Sequence, residues 1–167
     1  MNKYQFNNLK IRIGGIRDIN ILHDLLFEAV FWNPDMVRPD KDEFLKSQEI
    51  SKIIAHWGRE GDICLIAEVD GVTLGGAWYR FWTDDDHSYG FVDSDTPEIG
   101  ISLFSEYRSK GIGRKLLTGL IDCAKSSGIK ALSLSVDPQN FARQLYESVG
   151  FEKIGKFGTS YTYILRL

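Results

Sequence analysis

The chain has 167 residues, the size of one domain, and a chain of that size buries roughly 68–70% of its unfolded surface. Hydrophobic residues make up 43% and charged residues 26%, which excludes a wholly disordered chain. Twenty Lys and Arg against 23 Asp and Glu leave a net charge of −3, which disfavours a general nucleic-acid binder.

In chain order, Leu9, Ile11 and Ile13 alternate with polar residues and predict a strand ended by Gly14-Gly15. Asp18 is placed to cap a helix carrying Ile21, Leu22, Leu25, Leu26 and Ala29 at helical spacing, and Pro34 breaks it. A second helical region, in two pieces, runs from about Lys41 to Arg59. Strands follow over Asp62 to Val69 and Val72 to Phe81, joined by the hairpin turn Asp70-Gly71. Trp82 to Thr96 reads as an irregular loop, and Glu98 to Phe104 as a fourth strand. Gly111 to Lys125 is an amphipathic helix closed by Gly128. Ala131 to Val136 is a strand, Gln139 to Ser148 a short helix, and Phe151 to Phe157 with Tyr161 to Leu167 a closing hairpin. The helix between the fourth and fifth strands implies that they run parallel. The whole reads as a single domain, 1–167, built as a mixed sheet with helices on both faces.

Two separated cysteines, Cys64 and Cys123, and three scattered histidines give no metal-ligand spacing. Both thiols read as buried groups of an intracellular protein. Met1 to Asn8 is polar, without the apolar core of a signal peptide, and no apolar run reaches the ~20 residues of a membrane span. A soluble, cytoplasmic protein with no metal, no membrane and no nucleic-acid partner is expected.

The segment Arg108-Ser109-Lys110-Gly111-Ile112-Gly113-Arg114 lies between a strand and a helix. Free N–H groups and the dipole at a helix start, glycines that let an anion approach, and local positive charge together suit a pyrophosphate. A Rossmann fingerprint fails here because Leu116 occupies its last glycine position, and a Walker loop fails because Arg114-Lys115 follows Gly113.

This loop resembles the Arg/Gln-x-x-Gly-x-Gly/Ala loop of the GCN5-related N-acetyltransferase (GNAT) superfamily. Pro97-Glu98-Ile99-Gly100-Ile101 resembles the strand that precedes it. Asn140-Phe141-Ala142-Arg143-Gln144-Leu145-Tyr146-Glu147-Ser148-Val149-Gly150-Phe151 is similar to the family's Asn-x-x-Ala-x-x-Leu-Tyr-x-x-x-Gly-Phe pattern, with Ala142 one place early. The resemblance runs from Ile11 to Leu167. It implies an α/β (α+β) fold with a mostly antiparallel sheet of about seven strands, whose parallel fourth and fifth strands splay apart.

It also implies acetyl transfer from acetyl-CoA directly to a primary amine, without a metal. The pantetheine arm would pair with Ile101, Ser102 and Leu103. The pyrophosphate would lie on the backbone of Ser109, Lys110, Gly111, Ile112, Gly113 and Arg114, with Arg108 beside it. Asn140 matches a cofactor contact, and as an asparagine it also reads as a helix cap. Tyr146 matches the general acid: a phenol with a pKa near ~10 keeps its proton at neutral pH and can give it to the departing thiolate. Glu98 matches the general base of some members, with Gly100 and Ser102 on its face of the strand. Where other members place a glutamate on the fifth strand, this chain has Ser133 and Ser135.

Asp84, Asp85, Asp86, Asp93, Asp95 and Glu98, following Trp78, Tyr79, Phe81 and Trp82, suit a small cationic amine. By resemblance, Phe31, Trp32, Met36 and Arg38 belong to the acceptor side. A peptide or protein amine, or a non-catalytic acyl-CoA sensor, are the alternatives. A homodimer through the closing hairpin is also open.

Overall fold

The computed structural model describes residue 6 and residues 8–167. Most of the polar Met1 to Asn8 segment therefore lies outside the described residues. Seven strands form one sheet: β1 (Lys10–Ile13), β2 (Ile63–Val69), β3 (Val72–Arg80), β4 (Glu98–Leu103), β5 (Ala131–Val136), β6 (Glu152–Phe157) and β7 (Ser160–Arg166). The helices are α1 (Ile19–Val30), α2 (Lys41–Leu45), α3 (Gln48–Ile54), α4 (Ile112–Ser126) and α5 (Ala142–Ser148). The spatial strand order is β1-β2-β3-β4-β5-β7-β6. Every pairing is antiparallel except β4 with β5.

Two apolar layers cover the sheet. Ile112, Leu116, Leu117, Leu120 and Ala124 of α4 pack with Leu65, Ala77, Ile99, Leu132 and Leu134 on one face. Leu22, Leu25 and Leu26 of α1 and Ile54 of α3 pack with Cys64, Ile66 and Trp78 on the other. At β2–β3 the turn takes positive φ at both central residues, Asp70 (49°) and Gly71 (82°), the geometry whose twist matches the strands.

Three details depart from the sequence reading. The Asp18 carboxylate makes no cap bond to α1; it accepts from the Gly15 N–H at 2.8 Å and from Arg12 at 2.8 and 3.0 Å. The short helix begins at Ala142, not Gln139, because the preceding residues form a turn in which Asn140 N–H donates to the Asp137 carbonyl at 3.0 Å. Cys64 is buried, whereas Cys123 is only half-buried on the flank of α4.

The end of α3 is fixed by a residue that no sequence signal singles out. Arg80, at the end of β3, is 1% exposed. It pairs with Asp62 through bonds of 2.9 and 2.6 Å and donates to the carbonyls of Lys52, Ile53 and Ala55. Its guanidinium lies over the Trp57 ring at 5.0 Å. One cation thus satisfies the orphan carbonyls at the helix end and joins α3 to the sheet.

Candidate active site

β4 exchanges residue for residue with β3 along six positions, from Gly75↔Leu103 to Arg80↔Glu98. With β5 it meets only at Glu98↔Ser133, where the Ser133 N–H also donates to the Pro97 carbonyl at 3.0 Å. Beyond that point the two parallel strands separate, and the edge of Ile101, Ser102 and Leu103 faces a gap instead of a ladder. Buried backbone groups normally find partners, so an open edge inside the molecule is a place for a ligand to supply them.

A cavity of about 920 Å³ occupies this gap. Its lining includes Glu98, Ile101, Ser102, Leu103, Arg108, Ser109, Gly111, Gly113, Arg114, Asn140 and Tyr146. Residues 42 positions apart in sequence, Glu98 and Asn140, therefore share one wall. Lys110 and Ile112 are not in that lining. Ile112 is buried in the α4 core, leaving only its backbone at the helix start. The Lys110 ammonium donates to the Glu106 carbonyl at 2.5 Å and stands 5.8 Å from the rings of Phe6 and Tyr107.

At the mouth of the loop, Ser109 (φ 59°) and Gly111 (φ 81°) both take left-handed conformations. The first helical bond at this end of α4 is from the Lys115 N–H to the Gly111 carbonyl. The N–H groups of Ile112, Gly113 and Arg114 thus have no partner within the helix, and they sit at its positive end. Nothing lies within 4 Å of where a Gly111 Cβ would stand, so the glycine serves backbone conformation rather than packing. Gly113 packs closer, its missing Cβ 3.5 Å from Leu145 and 3.7 Å from Leu103. Arg114 donates to the Ser148 hydroxyl at 2.7 Å.

Asn140 acts within its own turn: its side-chain oxygen accepts from the Ala142 N–H at 2.9 Å, which sets the start of α5. One turn later α5 turns Tyr146 inward, 7% exposed and edge-on to Phe151. Burial alone pushes the phenol above its ordinary pKa, so the proton is held firmly at neutral pH.

Glu98 occupies the opposite face of β4. One oxygen accepts from the Gly90 N–H at 2.9 Å; the other is buried and makes no hydrogen bond among the described residues. Burial is the main influence and raises the carboxyl to about 7; the Gly90 N–H, Ser88, the distant Lys52 charge and Trp82 pull weakly the other way. The rim carboxylate paired with a cation that a polar strand end would suggest is not what is seen. A carboxyl that titrates near neutrality is suited to taking a proton at working pH.

Gly90 could not have been picked out from the sequence. A Cβ there would fall 2.7 Å from Glu98 Oε1 and 2.6 Å from the Leu134 carbonyl carbon, so only glycine lets the long β3–β4 loop close over the site. A similar fit occurs at Gly100, where a Cβ would collide with the Trp78 indole that floors the cavity.

The side of the cavity where the resemblance puts the acceptor is built by side chains of α1, α3 and the loops after them. Trp32, Met36, Ile50, Ile53, Trp82 and Tyr89 line it. Phe31 instead packs on Phe27 and Phe44, and Arg38 pairs with Glu28 at 2.7 Å. The aspartates of the β3–β4 loop are exposed, and none lines the cavity; Ser88 and Tyr89 do. The acidic loop is therefore a solvated surface rather than the acceptor wall. His87 stacks on Phe91 at 4.5 Å, its Nδ1 2.9 Å from the Ser88 carbonyl oxygen, and is not in the lining. Among the described residues no cluster of His, Cys, Asp and Glu has the form of a metal site, and no helix is long and apolar enough to cross a membrane.

The model of the acetyltransferase (GNAT) family matches residues 23–151, from α1 to the turn after α5. The chain belongs to the GNAT family. Among curated GNAT relatives, the L-amino acid N-acyltransferase MnaT of Escherichia coli is 32% identical over 130 residues, 77% of this chain and 68% of that one. An L-methionine sulfoximine/L-methionine sulfone acetyltransferase of Salmonella typhimurium matches with the same identity and coverage. Among solved structures, yncA of Salmonella typhimurium, determined with its cofactor acetyl-CoA, superposes with a TM-score of 0.67 at 26% identity, over 96% of this chain and 94% of that one. The seven-stranded sheet with its parallel β4–β5 pair is the GNAT fold, and the chain is an N-acetyltransferase.

Proposed function

We propose that this enzyme transfers an acetyl group from acetyl-CoA directly to the primary amine of a small molecule, with Glu98 as general base and Tyr146 as general acid. The observation that carries this reading is a single cavity, open between β4 and β5, that presents a buried carboxyl titrating near 7 and a phenol held protonated. Acetyl-CoA supplies the acyl group and a thiolate leaving group. The residues present fit it: an unpaired β4 edge for an amide-bearing arm, and free N–H groups at the start of α4 for a diphosphate.

A primary amine reaches the site as an ammonium with a pKa near ~10 and must lose a proton before it can attack. Glu98, buried and with no cation hydrogen-bonded to it among the described residues, takes that proton, directly or through one water. Tyr146, on the other face of the open strand, returns one to the departing sulfur. Neither cysteine is needed, because both substrates are bound together; burial pushes the Cys64 thiol up to about 12. The small acceptor is supported by the enclosing aromatic wall and by relatives named for free amino acids and their analogues. The test is release of free CoA thiol from acetyl-CoA with a panel of amino acids, aryl and alkyl amines and short peptides, with the acetylated product identified by mass. Turnover with free amines and not with peptides is expected; peptide-only turnover would overturn the small-acceptor reading.

A further inference from the structure

Arg108 stands where the donor strand, the anion loop and the acceptor wall meet. Its Nε donates to the carbonyl of Leu103, the last residue of β4, at 3.0 Å. One terminal nitrogen donates to the Trp32 carbonyl at 2.7 Å, and the other pairs with Glu28 at 3.1 Å. Glu28 in turn grips Arg38 through bonds of 2.7 and 2.9 Å, and Arg38 donates to the Phe31 carbonyl at 3.1 Å. The segment 31–40 between α1 and α2 has no helix or strand of its own, yet carries Trp32 and Met36 of the cavity wall. Its position is therefore set largely by the Glu28 carboxylate and the two guanidinium groups around it. All three nitrogens of Arg108 have protein acceptors, which fixes the plane of the guanidinium and leaves one N–H on each terminal nitrogen for any other ligand.

We propose that Glu28 and Arg108 are positioning residues that lock the acceptor wall onto the donor strand, so that binding at one substrate site stabilises the other. Coupling of this kind is reciprocal: whatever donor binding does for the amine, the amine does for the donor. Which ligand occupies which side rests on the acetyltransferase reading; the lock itself does not. A planar guanidinium fits this task because its fork spans three acceptors at fixed angles, which an ammonium cannot do.

The test compares wild type, Glu28→Gln, Arg108→Lys and the double variant. Hydrogen exchange without ligand is expected to speed up several-fold at residues 31–40 in each variant, and no further in the double variant, with exchange in α4 unchanged. Acetyl-CoA is expected to slow exchange at 31–40 in wild type only. With a turned-over amine, Glu28→Gln should raise the amine KM about tenfold while kcat and its pH dependence hold, the double variant again being no worse than the singles. Unchanged local exchange in Glu28→Gln, or effects of the two substitutions that simply add, would overturn the proposal. A loss confined to acetyl-CoA affinity in Arg108→Lys would make Arg108 a phosphate ligand instead. Failure of wild type to bind acetyl-CoA would count against the acetyltransferase reading and leave the ligand-free exchange result standing on its own.

Discussion

The two halves of the cavity are made of different material. The half we assign to the donor is backbone: the open edge of β4, the left-handed turn at Ser109 and Gly111, and the free N–H groups of α4. The half we assign to the acceptor is side chains, assembled from α1, α3 and two loops, and held by ion pairs such as Arg80–Asp62 and Glu28–Arg38. A backbone site binds what is constant in a family of ligands. A side-chain site can be changed one residue at a time without disturbing the first.

The sharpest break falls on the acceptor half. Arg80→Met strands the buried Asp62 carboxylate and the carbonyls at the end of α3, and should cost about 3–5 kcal/mol in urea unfolding, as for other broken buried pairs. A loss under 1 kcal/mol would mean that α3 is not held this way. Tyr146→Phe removes one proton donor and should lower kcat by about 10²–10⁴-fold with acetyl-CoA affinity kept, the range for a general acid; affinity lost with kcat intact would sink that role. Gly111→Asp forces an L residue to φ 81° and puts a negative charge at the helix start. It should weaken acetyl-CoA about tenfold or more by calorimetry and leave the amine pocket unaltered.

A further effect is on stability against pH. Unfolded, Glu98 loses its proton near 4.5; folded, burial raises that to about 7. Between these values the folded state holds more protons, so Glu98 makes stability fall as pH rises from 4.5 to 7 and has no further effect above. Thermal melts of Glu98→Gln should lack that contribution.

The same contrast decides what could be read in advance. Backbone sites leave marks in sequence, because only certain residues take the required φ: Gly111 before an amphipathic run, and Asp70-Gly71 between two strands, were legible. The splay of β4 from β5 was expected from resemblance and appears as one paired position where a ladder would give six. Side-chain sites leave no local mark. That Arg80 would reach Asp62, or Arg108 reach Glu28 across 80 positions, depends on how the helices dock on the sheet. The acidic loop misled for the same reason: six carboxylates in sequence say nothing about which one turns inward, and only Glu98, at the strand end, does.

In the proposed reaction a buried Glu98, titrating near neutrality, takes the proton from the amine. The most direct measurement is kcat/KM against pH for wild type and Glu98→Gln with a saturating donor. Wild-type activity is expected to rise through a pKa of about 7, and the variant to lose about a hundredfold in rate together with that limb while still binding acetyl-CoA. A variant with near-normal rate and the same limb would contradict it, and the proton would have to leave by another group.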